Sequence, residues 1–245
     1  MIQFKHTFLV GIMGLSLWGC WDKEPAIPDN PLNGRTTAVF NPTKNYGTVT
    51  DIEGNVYKTI VIGTQTWMAE NLRTTKYRNG DEIYNVTSND TWNSLLSTGA
   101  YCTYANTTNL DTIATYGRLY NFFAVADNRQ LAPQGWRVAT MDDWLTLTDY
   151  LGGDTIASNK MKEVGNKHWE DPFLSDNSSG FTALPGSDRY LAKNTDQMGF
   201  YGVWWTSSEY NETGAGFLYL YYYSSNIYRG VNYKKNGYSV RCIKE

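Results

Sequence analysis

Few side chains in this sequence are supplied for catalysis. Three cysteines occur, at Cys20, Cys102 and Cys242, and only two histidines, His6 and His168. A zinc site built on two or more histidines needs more imidazole than that, because His6 falls in a segment expected to be removed. A nucleophilic triad would have to join Ser207 or Ser208 to His168 and a carboxylate, yet no strand–turn–helix elbow pattern surrounds those serines. Asp142/Asp143 and Glu209/Glu212 could perform glycosidic acid–base chemistry only if they faced each other across a cleft, and Asp143 is already explained as a helix cap. Asp51, Glu53 and Asn55, or Asp176, Asn177 and Asp188, are oxygen-rich enough to hold calcium. Neither set has the full spacing of a calcium loop, and turn residues account for both. No cofactor is expected, and calcium is unsupported.

The abundant reactive surface is aromatic. Aromatic residues make up 15% of the chain, with 19 Tyr and 9 Trp, and they crowd toward its end. Tyr219, Tyr221, Tyr223, Tyr228, Arg229, Asn232 and Tyr233 combine ring faces with hydrogen-bonding tips, which suits either sugar rings or a protein surface. A tyrosine-rich sheet that packs well would show the same composition. Net charge is −3 and 18% of residues are charged, too little basic character to neutralise a phosphate backbone, so nucleic acid is not an expected partner.

The chain that must position these residues divides into three parts. Residues 1–19 start with Lys5 and His6 and continue into the apolar run Phe8–Trp18, a signal-peptide profile too short to span a bilayer. The run ends in Leu17-Trp18-Gly19-Cys20, which resembles a bacterial lipobox. That resemblance implies cleavage before Cys20, lipid attachment to Cys20 and a membrane contact through the lipid. Residues 20–45 contain Pro25, Pro28, Pro31 and Pro42 without periodicity and read as an extended tether. Asp22 and Glu24 give the acidic start that accompanies surface export in some bacteria.

Residues 46–245 read as one folded α+β unit, large enough to bury a core. A turn at Asp51–Asn55, with Gly54 at positive φ, precedes a strand over Val56–Ile62; Gly63-Thr64 returns it into Gln65–Asn71. A short helix is expected over Trp92–Leu96 and a strand over Tyr101–Tyr104. Tyr116–Val125 is apolar enough to be buried. Thr140 and Asp143 cap the clearest helix, Thr140–Leu151, whose Trp144, Leu147 and Leu151 share a face. Ser158–Val164 reads as a second helix and Trp169–Ser187 as a long structured loop. The end is β: Phe217, Tyr219, Tyr221 and Tyr223 share one face against Leu218, Leu220 and Tyr222. Asn236-Gly237 is expected to fold Asn226–Tyr233 against Tyr238–Ile243. Trp204-Trp205 and the Thr-Ser-Ser-Glu after them read as scaffold, with the working surface beyond them.

Six stretches carry a resemblance. They are Asp51–Arg73 (DIEGNVYKTIVIGTQTWMAENLR), Tyr116–Val125, Gly135–Gly153, Ser178–Gly186 (SSGFTALPG), Trp204–Tyr210 and Gly237–Cys242. In this order they resemble the Fibrobacter succinogenes major paralogous domain, a family of bacterial secreted proteins and surface lipoproteins. The resemblance implies a C-type-lectin-like fold, shared with formylglycine-generating enzymes and variable tropism proteins. It implies an outer-membrane, surface-exposed address and no particular activity. Family members often carry Cys-Pro before the Gly-Trp motif, whereas this chain has Ala132-Pro133, so Cys102 and Cys242 are left as the candidates for a disulfide in an oxidising envelope. By analogy with variable tropism proteins, the tyrosine-rich region named above is the ligand-facing surface. The expectation is a non-enzymatic lipoprotein that recognises a glycan or protein at the cell surface. The alternatives are a structural spacer without a ligand and a degenerate relative of formylglycine-generating enzymes with residual hydrolase or oxidase activity.

Overall fold

The computed structural model describes Met1 and residues 29–245, apart from residues 96, 172–173, 191–192 and 195–196. The expected signal segment and Cys20 lie outside the described residues. No described helix is long and apolar enough to cross a membrane.

The chain opens with β1 (Gly47–Thr50), β2 (Val56–Ile62) and β3 (Gln65–Met68). The β1–β2 turn is built by Asp51, whose Oδ1 accepts from the amides of Glu53 and Asn55, both at 3.0 Å. Gly54 takes the positive φ of 78° that this turn requires. Next come β4 (Tyr84–Asn85), α1 (Asn89–Ser94), β5 (Ala100–Cys102), α2 (Leu110–Tyr116), β6 (Leu119–Tyr120) and α3 (Phe122–Val125). The helix expected at Trp92–Leu96 starts earlier, because the Ser88 hydroxyl caps it by accepting from Thr91 N. Helix α2 was not expected; Asn109 caps its start and Gly117, at φ 77°, ends it. A side chain at Gly117 would meet the Leu72 carbonyl at 2.7 Å.

After β7 (Trp136–Val138) comes α4 (Met141–Tyr150), which carries the expected capping box. Thr140 Oγ1 accepts from Asp143 N at 3.2 Å, and Thr140 N donates to Asp143 Oδ2 at 2.7 Å. Helix α5 (Ala157–Met161), β8 (Arg189–Tyr190) and β9 (Lys193–Asn194) lead to three long strands: β10 (Tyr201–Glu209), β11 (Gly214–Tyr221) and β12 (Ile227–Tyr233). The last strand is β13 (Cys242–Lys244).

These elements form a five-stranded sheet in the order β1-β2-β3-β13-β7 and a three-stranded sheet β10-β11-β12, with two smaller sheets, β4-β5-β6 and β8-β9. The hairpin expected across Asn236-Gly237 is not formed. Strand β12 is already paired along its length with β11, from Gly214↔Tyr233 to Leu220↔Ile227. The chain instead makes single bridges from Gly237 to Arg189, Tyr238 to Tyr120 and Ser239 to Trp204. It then enters the larger sheet, with Ile243 opposite both Trp67 and Arg137.

Two main cores result, and adjacent strand residues are divided between them. Met68, Trp205, Tyr238 and Cys242 belong to one; Trp67, Trp204, Leu218 and Ile243 belong to the other. Side chains alternate sides along a strand, so neighbours in sequence serve opposite faces. Buried Arg241 ties the elements together. Its guanidinium donates to Asn71 Oδ1 (2.6 Å) and to the carbonyls of Met68, Phe181 and Thr182 (2.9 Å each), and burial pulls its pKa down to about 9.

Residues 29–45 correct the expected tether. They have little regular structure, yet they are docked. Asn30 donates to Asn55 Oδ1 (3.0 Å), Asn33 bridges the Gly54 carbonyl and Val56 amide, and Leu32 is buried with Ile113 and Ala114. Further along, Val39 N donates to Glu163 Oε1 at 2.5 Å, and Thr37 Oγ1 lies 2.9 Å from His168 Nε2. Asparagine and backbone groups here find protein partners in place of water, so composition alone mistook the strap for a linker.

Candidate ligand-binding site

The register of β10-β11-β12 decides which tyrosines share a surface. Tyr201 lies opposite Tyr221, Val203 opposite Tyr219, Tyr219 opposite Tyr228 and Ala215 opposite Asn232. Directly paired residues project to the same side of a sheet. Val203, Trp205 and Ala215 are buried beneath this side, and Tyr201, Phe217 and Tyr219 are half-buried above them. An open cleft of about 250 Å³ results, walled by five tyrosines, Tyr190, Tyr201, Tyr219, Tyr221 and Tyr238, together with Phe217. Asp188 and Asn232 supply its polar side chains.

The rings hold one another. Tyr201 meets Tyr219 edge-on at 6.1 Å and 84°, and Tyr219 meets Tyr221 at 5.8 Å and 86°. Tyr228 tilts against Tyr219 at 5.1 Å, and Tyr223 packs edge-on against Tyr221 at 4.6 Å. The Tyr201 hydroxyl donates to Asp188 Oδ1 at 2.9 Å. Asn232 Nδ2 donates to the Tyr238 hydroxyl at 2.8 Å, and Asn236 Nδ2 does so at 3.0 Å. Burial raises the phenol pKa values of Tyr219 and Tyr238, so both are neutral near pH 7.

Of the residues singled out from the sequence, Tyr219, Tyr221 and Asn232 line the cleft, and Tyr228 and Tyr223 extend its aromatic surface. Arg229 and Tyr233 are not brought to it. Arg229 pairs with Leu218 and Tyr233 with Gly214, which places both on the opposite side of the sheet. There the Arg229 guanidinium is occupied by the Asp154 carboxylate (2.6 Å from Nη1) and by Thr148 Oγ1 (2.8 Å). A list of polar and aromatic residues ignores the period-two alternation that separates Arg229 from Tyr228. Asp188, Tyr190, Tyr201 and Tyr238 were missed as site residues. Tyr201 was legible in principle, because it alternates with Val203 and Trp205 on one side of β10. The other three arrive from distant chain segments through single bridges.

The turn that carries Tyr223 is clamped from behind. The Lys162 ammonium donates to the carbonyls of Tyr221 (3.2 Å), Tyr222 (3.1 Å) and Ser224 (2.9 Å). Its side chain is fully buried, and burial lowers its pKa to about 8.

The expected pairing of Cys102 with Cys242 is overturned: both are free and buried. Cys102 lies on β5, packed with Val86 and Trp92, while Cys242 lies on β13 in the larger sheet, opposite Val138. The two thiols are filling different apolar clusters, as free cysteines commonly do. Burial pushes the Cys102 thiol up to about 11 and raises Cys242 further, which suppresses thiolate chemistry at both.

The oxygen-rich loops are used as turns. Asp51 also accepts from the Tyr57 hydroxyl at 2.7 Å, and Glu53 accepts from Thr74 and Thr75. Asp176 accepts from Ser178 N, and the Asn177 side chain is paired with Thr182. Among the described residues, no three His, Cys, Asp or Glu side chains gather as a metal site. His168 reaches neither Ser207 nor Ser208 in its hydrogen bonding; its Nδ1 meets Glu163 Oε2 at 2.7 Å and its Nε2 meets Thr37. Ser207 Oγ donates to the Val138 carbonyl, and Ser208 Oγ accepts from Met141 N.

Fold and cleft together describe an α+β domain with an aromatic recess on one sheet. A family model described as the Fibrobacter succinogenes major domain matches residues 60–244, most of the chain, and the chain belongs to that family. Comparison with curated proteins and with solved structures finds no match.

Proposed function

We propose that this protein is a lipid-anchored component of the bacterial cell envelope whose folded domain binds a glycan or protein ligand at the cell surface and does not catalyse a reaction. In this reading the lipid is attached at Cys20, the fold is C-type-lectin-like, and the ligand is taken at the tyrosine cleft. The observation that carries it is the open recess in which Tyr201, Tyr219 and Tyr221 stand with their rings against one another. Rigid amphipathic rings supply contact area at small conformational cost, which is why binding faces use them. The family, whose members the sequence motifs associate with secreted and surface proteins, supports the envelope address.

Two experiments test the reading. Radiolabelled fatty acid should enter the full-length chain expressed in a bacterial host and should fail to enter the Cys20→Ala variant; equal labelling of both removes the anchor. The purified chain should bind on glycan and protein arrays, and the replacement of Tyr219 and Tyr221 by Leu should abolish the signal. Binding that survives both replacements removes the cleft as its location.

A further inference from the structure

We propose that the outer edge of β12 receives an extended segment of another polypeptide as an added antiparallel strand, with an aromatic side chain of that segment laid over Gly230. This occupant rests on reading the tyrosine surface as the ligand site, and it selects a protein ligand over a glycan.

Strand β12 has one used edge and one open edge. Its even-numbered residues bond to β11: the pairing keeps one register from Gly214↔Tyr233 to Leu220↔Ile227, and just past its end Lys234 N donates to the Thr213 carbonyl at 2.9 Å. The odd-numbered residues therefore turn their N–H and C=O groups outward. At the two ends those groups are taken. Ile227 N donates to the Asp154 carbonyl (2.9 Å), Tyr233 N donates to Asn232 Oδ1 (2.9 Å), and the Tyr233 carbonyl accepts from Asn236 N (2.9 Å). Between them, the outward N–H and C=O groups of Arg229 and Val231 are bonded by no described residue. Two donors and two acceptors are left in the spacing that one strand presents to another.

The open edge is also unguarded. Exposed edges are commonly blunted by a proline, a lysine or a bulge. Strand β12, IYRGVNY, has none of these. Its single charge, Arg229, is turned onto Asp154 and Thr148. Tyr228 and Val231 remain 42% and 45% exposed.

This edge is continuous with the cleft. Tyr228, Gly230 and Asn232 lie on the cleft side of the sheet, Tyr228 against Tyr219 and Asn232 in the lining of the recess. Gly230 leaves a gap between the other two side chains. Phe217 floors that gap: a side chain at position 230 would begin 3.0 Å from Phe217 Cε1. On an antiparallel strand bonded to Arg229 and Val231, the residue between the bonded pairs lies opposite Gly230, its Cα about 4.5 Å away, and points to the same side. An aromatic ring there covers the glycine and meets Phe217 and Tyr228.

A second copy of this chain fits the edge poorly. Pairing Arg229 with the partner's Val231 would set Gly230 against the partner's Gly230 and leave both gaps empty. It would also drive the partner's Tyr233 to the place where the Asp154 carbonyl already accepts from Ile227 N. A segment of different sequence can fill the gap and leave the edge before reaching Asp154.

Selection of random short peptides on the full-length chain in mild detergent, followed by calorimetric titration of the enriched sequence, tests the inference. Enriched peptides should carry an aromatic residue between β-branched neighbours. N-methylation of the two residues flanking that aromatic removes backbone donors and no side chain, and should weaken binding at least about tenfold. Val231→Pro removes an outward donor without touching a β11 bond, and should weaken binding as much while the circular dichroism stays unchanged. The Arg229 and Val231 amides should exchange with deuterium more slowly in the complex. Failure to enrich any peptide, or an affinity that survives N-methylation or Val231→Pro, overturns the inference. Sedimentation that shows a dimer dissociated by Val231→Pro gives the edge to a second copy and overturns it too. In each of those cases, array binding that is lost on replacing Tyr219 and Tyr221 by Leu keeps the cleft as the ligand site. Peptide binding lost on Val231→Pro and kept when Tyr219 and Tyr221 are replaced supports the added strand and removes the cleft.

Discussion

Trp204 and Trp205 are neighbours in the chain and serve different cores. The Trp204 indole donates to Asn71 Oδ1 at 2.9 Å and packs toward Trp144, 6.2 Å between ring centroids. The Trp205 indole donates to the Tyr120 carbonyl at 2.8 Å and packs on Tyr238 at 4.3 Å. Both are fully buried. Strand β10 is therefore the partition between the two clusters, and the tyrosine cleft sits on the Trp205 side of it.

That partition predicts independence. Replacing either tryptophan by Ala should cost about 3–5 kcal/mol, the usual loss for a large buried aromatic. Trp204→Phe and Trp205→Phe should each cost about 1–3 kcal/mol, through lost volume and the loss of the indole hydrogen bond. Although the two residues adjoin, the double Phe variant should be additive to within about 0.5 kcal/mol, because the indoles bond to different acceptors and pack in different clusters. Urea unfolding of the four proteins measures this, and a coupling well above that figure would join the two cores into one.

Lys162 gives the stability a pH signature. Its pKa falls from the ordinary 10.5 to about 8 on folding because of burial. Between those values the unfolded chain holds a proton that the folded chain does not, so stability contributed at this position rises with pH across the window and is lost as pH falls through 8. The unfolding free energy of the wild type minus that of Lys162→Met should increase from pH 7 to pH 10. Taking the difference cancels the tyrosines common to both proteins. A difference that is flat or falling contradicts the assignment.

The two core thiols should be inert until the fold opens. With the Cys102 pKa at about 11 and that of Cys242 higher, neither offers thiolate at pH 8. An aromatic disulfide reagent should react with them slowly in the native chain and rapidly in guanidinium without any reductant. Mass spectrometry after denaturation and alkylation should find both modified. Recovery of an unalkylated Cys102–Cys242 pair would restore the disulfide that the structure lacks.

Glu163 should control the docked strap. It is fully buried and receives both the Val39 amide and the His168 ring. Glu163→Ala removes the acceptor from two half-buried donors and should destabilise by about 1–3 kcal/mol. Limited proteolysis should then cut between residues 29 and 40, where the wild type resists. Unchanged resistance would mean that Asn30, Asn33 and Leu32 hold the strap by themselves.

Local chemistry was the part of this fold that could be read from the sequence. The β2–β3 hairpin and the α4 capping box depend on residues a few positions apart, and both formed as expected. The buried Trp pair and the alternation of Phe217, Tyr219 and Tyr221 against Leu218 and Leu220 were also legible, since a strand's faces follow from counting by twos. What failed depended on distant partners. Asn236-Gly237 is a good hairpin signal, but the segment after it is taken up by distant partners, with Gly237 bridging Arg189, Tyr238 bridging Tyr120 and Ser239 bridging Trp204. Helix α2 is short and polar, and its Ile113 and Ala114 are buried in a cluster with Leu32 of the strap, a partner far away in sequence. The site was half legible for the same reason: β11 supplied Tyr219 and Tyr221 by pattern, whereas Asp188, Tyr190 and Tyr238 come from elsewhere in the chain.

The placement of β13 has a kinetic consequence. The larger sheet runs β1-β2-β3-β13-β7, so the last of these strands to be synthesised is the one inserted between the earlier ones. Trp67 on β3 and Arg137 on β7 have no ladder joining them until Ile243 emerges to bond with both. A chain delivered N-terminus first carries an open, unfinished seam through almost its whole passage, and closing that seam is a long-range event of the slow kind. The larger sheet is thereby completed only once the final strand is available to pair on both sides.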